Sequence, residues 1–158
     1  MSSPEPVSPL SIVTHARHPN VRIAAYRETS ERSETYNCVA WALGVTDRWI
    51  DTSGLPGTFW PSGVSAAGDH WHTYSELFLS RGFEPCDTSE HEPGFDKVAI
   101  YGIEEEFTHV ARQLSETLWT SKLGALQDIE HQSPTALEDA IYGTVQLVLR
   151  RPVRDRIV

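Results

Sequence analysis

Two cysteines and seven histidines are the side chains of this 158-residue sequence best suited to nucleophilic and proton-transfer chemistry. Cys38 stands in "ETYNCVAWALG", after the polar Thr35 and Asn37 and before an apolar run closed by Gly44. That pattern predicts a short helix over "CVAWAL" with the cysteine in its first turn. A thiol nucleophile needs access to its thiolate, a base close by, and hydrogen-bond donors for a developing oxyanion. A helix start favours the thiolate and presents unused N–H groups. Cys86, in "FEPCDT", lies instead between Glu84 and Asp87, whose charges oppose ionisation. A single pair of cysteines makes no disulfide framework, so free thiols are expected.

The base should be a histidine on an adjacent strand. His15 and His18 fall in a proline- and serine-rich start, His70 and His72 flank Trp71 at a helix start, and His91 lies in an acidic turn. His131, in "DIEHQ", falls in a loop or short helical segment. His109, in "FTHVARQL", is the one placed inside a predicted strand and is the candidate base. A hydrogen-bonded structural histidine is the plain alternative. A third residue that accepts from the other ring nitrogen would orient it. Ser121 on the following strand is the candidate, with Asp128 and His131 as alternatives. A metal is the rival use of such residues, but His70, His72, His91 and Cys86 lack the paired spacing of common zinc sites. No metal or cofactor is expected, and neither GxGxxG nor GxxxxGK occurs.

These residues need elements to position them. "HWHTYSELFLSRG", 70–82, has the three-four apolar spacing of a helix with Gly82 as its cap. Strands are predicted at 21–28 (or an extended arm), at "FEPC", and at 97–102, 107–114, 117–124 and 144–151. Short links through 97–124 suggest an antiparallel meander. "SPTALEDAIYG" reads as a helix with Ser133 as N-cap and Pro134 at its first position. The loop 44–70 carries Trp49, Phe59 and Trp60. Asn37, Trp49 and Trp60 are the expected walls of a substrate cleft. The fold expected is α+β: a helix bearing Cys38 packed on a small antiparallel sheet. Residues 1–20 read as a loose lead-in, 21–152 as one domain, and 153–158 as a basic tail.

Hydrophobic content of 39% and charged content of 22% suit a globular chain. A net charge of −9 argues against nucleic acid as the main partner. No apolar stretch is long enough for a membrane span, and the N-terminus lacks a signal-peptide pattern. A cytoplasmic protein acting on a protein or peptide is the expectation; oligomeric state is not legible.

"YNCVAWALG", "DKVAIYG", "THVARQL", "WTSKLG" and "DIEH" together resemble a bacterial family of uncharacterised domains. That family has Tyr-Asn-Cys-x-Ala-x-Ala, Thr-His-x-Ala-Arg-Gln and Trp-x-Ser-Lys-Leu-Gly blocks, and the resemblance spans roughly residues 34 to 151. The layout also resembles the papain-like NlpC/P60 cysteine peptidases. This second resemblance implies a papain-like fold with Cys38 as nucleophile, His109 as base and Ser121 in the third position. NlpC/P60 enzymes usually carry His, Asn or Gln in that position. Their Asp-Cys-Ser-Gly block is replaced here by Asn-Cys-Val-Ala. The implied activity is hydrolysis or acyl transfer at an amide or ester bond, as in a peptidase, amidase or deamidase. A non-catalytic binding or immunity-type module on the same fold is the alternative.

Overall fold

The structure, a computed structural model, describes residues 9–23 and 26–155. Among the described residues four α-helices, α1 (Pro9–Arg17), α2 (Pro19–Ile23), α3 (Cys38–Ala42) and α4 (Trp71–Leu79), accompany nine strands. The strands are β1 (Tyr26–Glu28), β2 (Trp49–Ile50), β3 (Thr58–Phe59), β4 (Glu84–Pro85), β5 (Phe95–Ile103), β6 (Glu106–Gln113), β7 (Trp119–Lys122), β8 (Asp128–His131) and β9 (Thr144–Pro152). Seven of them form one antiparallel sheet in the order β1-β8-β7-β6-β5-β9-β4, and β2 and β3 form a short parallel pair. The fold is α+β and mostly β.

The meander implied by the short links is β5-β6-β7, and β8 extends it. Side-chain alternation divides it into two cores. On one face Val98, Ile100 and Val110 pack against Cys38, Val39 and Ala42 of α3 and Leu77 and Phe78 of α4. On the other, Ala99, Tyr101, Ala111, Trp119 and Ile129 meet Val21 of α2, Leu137 and Tyr142. Trp41 pins α3 to the first face by donating its Nε1–H to Thr120 Oγ1 at 2.9 Å.

Three expectations are corrected. Where residues up to 20 read as a loose lead-in, the chain is helical from Pro9, with Thr14 and His18 fully buried; residues 1–8 lie outside the described residues. Prolines at the helix starts suit this arrangement, because a first-turn N–H has no intrahelical partner to lose. "DIEH" is a strand paired along β7, although its acidic residues disguise it. Residues 133–143 do not form a full helix: a 3-10 turn covers Pro134–Leu137, and Glu138 returns to extended backbone. The Asp139 carboxylate accepts from Ile141 N–H at 2.9 Å and Tyr142 N–H at 2.8 Å, offering those amides an alternative to helix. Gly143 closes the turn at φ +70 so close to β5 that a Cβ there would meet Gly102 O at 2.2 Å. This turn sets Tyr142 over the sheet.

Candidate active site

Asn37 caps α3. Its Oδ1 accepts from Ala40 N–H at 3.2 Å and from Ile50 N–H at 3.1 Å, while its Nδ2 donates to Ile50 O at 2.7 Å. One buried amide therefore starts the helix and ties β2 beside it. Cys38 follows directly, 8% exposed, on the wall of a cleft of about 380 Å³. Asn37, Trp49, Asp51, Phe107 and Tyr142 line the same cleft. Trp60 stands back from it: its Nε1–H goes to Val64 O at 3.0 Å, and its ring packs edge-on against Tyr74 at 5.2 Å.

Burial pushes the Cys38 thiol up to about 11, against the pull of the Val110, Val39 and Cys38 backbone amides and the Lys122 charge. The amides at the helix start do favour thiolate, as expected, but burial outweighs them. α3 has only five residues, so its dipole is weak, and desolvation wins. At neutral pH only about one thiol in ten thousand is ionised. Cys86 is also free, and its thiol is likewise raised, by burial first.

His109 is completely buried on β6. Its ring is parallel to Tyr142, 4.2 Å between centroids and 5° between planes. Its Nε2 lies 2.9 Å from Ser121 Oγ, which lies 2.8 Å from His131 Nε2; His131 Nδ1 lies 2.8 Å from Ser133 O. Proton positions follow from the far end of this chain. A carbonyl only accepts, so His131 carries its proton on Nδ1. Burial lowers His131 to about 4 and holds His109 well below its ordinary value, so both rings are neutral at pH 7. His131 Nε2 must then accept from Ser121, and Ser121 must accept from His109 Nε2–H. His109 Nδ1 is left with a lone pair and has no hydrogen-bond partner among the described residues. A stacked phenol covers the face of an imidazole, not the edge where that lone pair lies.

Cys38 and His109 belong to opposite faces of β6, since Val110 packs with α3 whereas His109 packs with Tyr101 and Tyr142. The two side chains are not hydrogen-bonded. They share neighbours rather than a contact: the Val110 amide, next to His109 in sequence, favours ionised sulfur, and Tyr142 borders the Cys38 cleft while lying on His109. β6 and β7 pair only at Arg112↔Thr120 and Gln113↔Trp119, so the strands separate beside this place. Ser121 and His131 both join His109, as successive members of one chain. Asp128 goes elsewhere, accepting from Tyr36 Oη–H at 3.0 and 3.1 Å.

Of the histidines weighed as metal ligands, His70 caps α4, its Nδ1 accepting from His72 N–H at 3.0 Å. Among the described residues no group of three or more His, Cys, Asp or Glu side chains is arranged to hold a metal. Among them, too, no helix is long and apolar enough to cross a membrane.

A family model described as a domain of unknown function, DUF7689, matches residues 27–150. The chain belongs to this family. The matched DUF7689 span contains Cys38, His109, Ser121 and His131, together with Tyr142; α1 and α2 precede it. No curated protein and no solved structure matches the chain.

Sequence reasoning missed Tyr142 and Lys122 as neighbours of the site. Tyr142 was hidden in a supposed helix. Lys122, within "WTSKLG", looked like an ordinary alternating strand residue, yet it is fully buried.

Proposed function

We propose that this protein is a thiol-dependent hydrolase or acyltransferase acting on an amide or ester carbonyl of a protein or peptide, with a papain-like division of labour. The observation that carries the reading is the directed chain Ser133 O, His131, Ser121, His109, which ends in an unprotonated Nδ1. A neutral thiol and a neutral imidazole suit general-base catalysis better than a preformed thiolate–imidazolium pair. As Cys38 sulfur attacks the carbonyl carbon, His109 Nδ1 takes the thiol proton, and the carbonyl π electrons move to oxygen. Collapse returns them, breaks the bond to the leaving group and hands that proton to it, leaving a thioester on Cys38. Water or an amine then releases the acyl group. Backbone amides around the sulfur offer donors to the oxyanion. Ser121 and His131 hold His109 in its tautomer, as a carboxylate or amide does in related triads. The site would operate in the cytoplasm.

p-Nitrophenyl acetate tests this without knowledge of the natural substrate. Wild-type protein is expected to release nitrophenolate in a burst, with acetyl found on Cys38 by peptide mass mapping. Cys38→Ala should abolish the burst, and His109→Gln should slow it at least about a hundredfold. Equal acetylation of Cys38 in wild type and a folded His109→Gln variant would remove the dyad. The complete burial of His109 favours a second reading, a non-catalytic binding module, under which Cys38→Ala keeps every cellular effect.

A further inference from the structure

The thiol chemistry leaves one buried charge unexplained. Lys122 on β7 is fully buried, and among the described residues its ammonium has no carboxylate within ion-pair distance. It donates to Ser33 O at 2.7 Å and Gly124 O at 2.5 Å, and lies 4.9 Å from the centre of the Tyr36 ring. Two neutral carbonyls and a ring face are a thin environment for a desolvated cation. The opposite residue on β8, Asp128, directs its oxygens to Tyr36 rather than to the amine. Gly124, which accepts from Lys122, lines the same cleft as Cys38.

We propose that the Lys122 ammonium is the counter-ion of the Cys38 sulfur: it stabilises negative charge formed there during thiol chemistry. This deepens the acyl-transfer reading and rests on Cys38 being its nucleophile. Lys122 does not exchange a proton with substrate; it acts through the sulfur and is a positioning residue. Lys122 favours ionised Cys38, and Cys38 in turn favours protonated Lys122. The other titratable groups around this pair are Asp128 on β8, Tyr36 before α3, Arg112 on β6, Tyr142 beside the sulfur, and Arg17, Asp51, Asp69 and Tyr74 in the lining of the Cys38 cleft; His109 lies across β6. Asp128 supports the ammonium charge, Tyr36 holds Asp128, and Arg112 favours ionised Asp128. His109 is neutral. Burial brings Lys122 down to about 8, so the charge is present at neutral pH and is lost above that point.

Iodoacetamide alkylation of Cys38, followed by peptide mass mapping with Cys86 as internal reference, reads this directly. Thiolate sulfur displaces iodide, so the rate follows the ionised fraction. Lys122→Met is expected to slow Cys38 alkylation roughly tenfold near pH 7, where the ammonium is intact, while Lys122→Arg keeps most of it. In wild type, loss of the ammonium makes the rate rise less than tenfold per pH unit between about pH 8 and pH 9.5. A folded Lys122→Met variant within about twofold of wild type, or a full tenfold wild-type slope, overturns the proposal. The wild-type slope decides alone where a variant does not fold. Failure of the acyl-transfer reading shows separately, as no acetylation dependence on His109, and leaves this alkylation result standing.

Discussion

Asn37 concentrates three hydrogen bonds in one buried side chain, and it is the residue on which the placement of Cys38 depends. Replacing it by Ala removes the cap and leaves the Ile50 amide and carbonyl without those partners. A cost of about 2–4 kcal/mol is expected, at the upper end of capping effects because the group is buried. Urea denaturation of Asn37→Ala checks this, and a loss below about 0.5 kcal/mol would show that α3 and β2 are held by packing alone. The same substitution should change Cys38 alkylation, since α3 then has no fixed start. At this scale the sequence was informative. A polar residue before an apolar run and a histidine inside a strand single out Cys38 and His109 as candidates. What it could not show was their environment: the predicted helix-start thiolate is a neutral thiol, because burial outweighs a five-residue dipole.

Between elements, the turn from Asp139 to Gly143 decides how the imidazole is held. Asp139 accepts from two amides of its own turn, and its Oδ2 lies 2.7 Å from His18 Nδ1. His18 in turn packs on Tyr142 at 4.5 Å, opposite a ring that also covers His109. Asp139→Ala should cost about 3 kcal/mol, because it strips several buried bonds at once. It should also free Tyr142, which is read as faster modification of His109 by diethyl pyrocarbonate. An unchanged His109 reactivity in a destabilised variant would mean that Tyr142 is held by packing rather than by the turn. The sequence misleads here for a local reason. Ser-Pro followed by apolar spacing is a valid helix start, but Asp139 and Gly143 draw the chain into a tight turn against β5. β8 was missed for a similar reason: its acidic residues lower strand propensity, and pairing with β7 overrides it.

Across the whole molecule, buried neutral imidazoles make stability depend on pH. The folded values of His131 and His109 lie below their unfolded ones, so the unfolded chain binds more protons. Their contribution is fully present above about pH 6.5 and is lost as pH falls from there toward the folded values. With His131 near 4 when folded, its share of the loss by about pH 5 is on the order of 2 kcal/mol, and His109 acts in the same direction. Urea midpoints between pH 7 and pH 5 should therefore fall, and a folded His131→Gln variant should show a shallower decline. Equal slopes in the two proteins would mean that His131 is not held neutral.

The sequence by itself determined the periodic elements and the chemistry available to them. The strands of the central meander and the helix at 71–79 follow from alternation, turn residues and side-chain type, which are local properties, and the same local reading makes Cys38 and His109 candidates. Tertiary structure alone decided which polar groups lose water together. It placed Ser121 and His131 in one hydrogen-bonded chain, Tyr142 across His109, and buried Lys122 against the cleft-lining Gly124 with no carboxylate at ion-pair distance among the described residues. Those partners come from distant positions, and ionisation depends on the desolvation they create jointly, which is a property of the packed sheet rather than of any stretch of sequence.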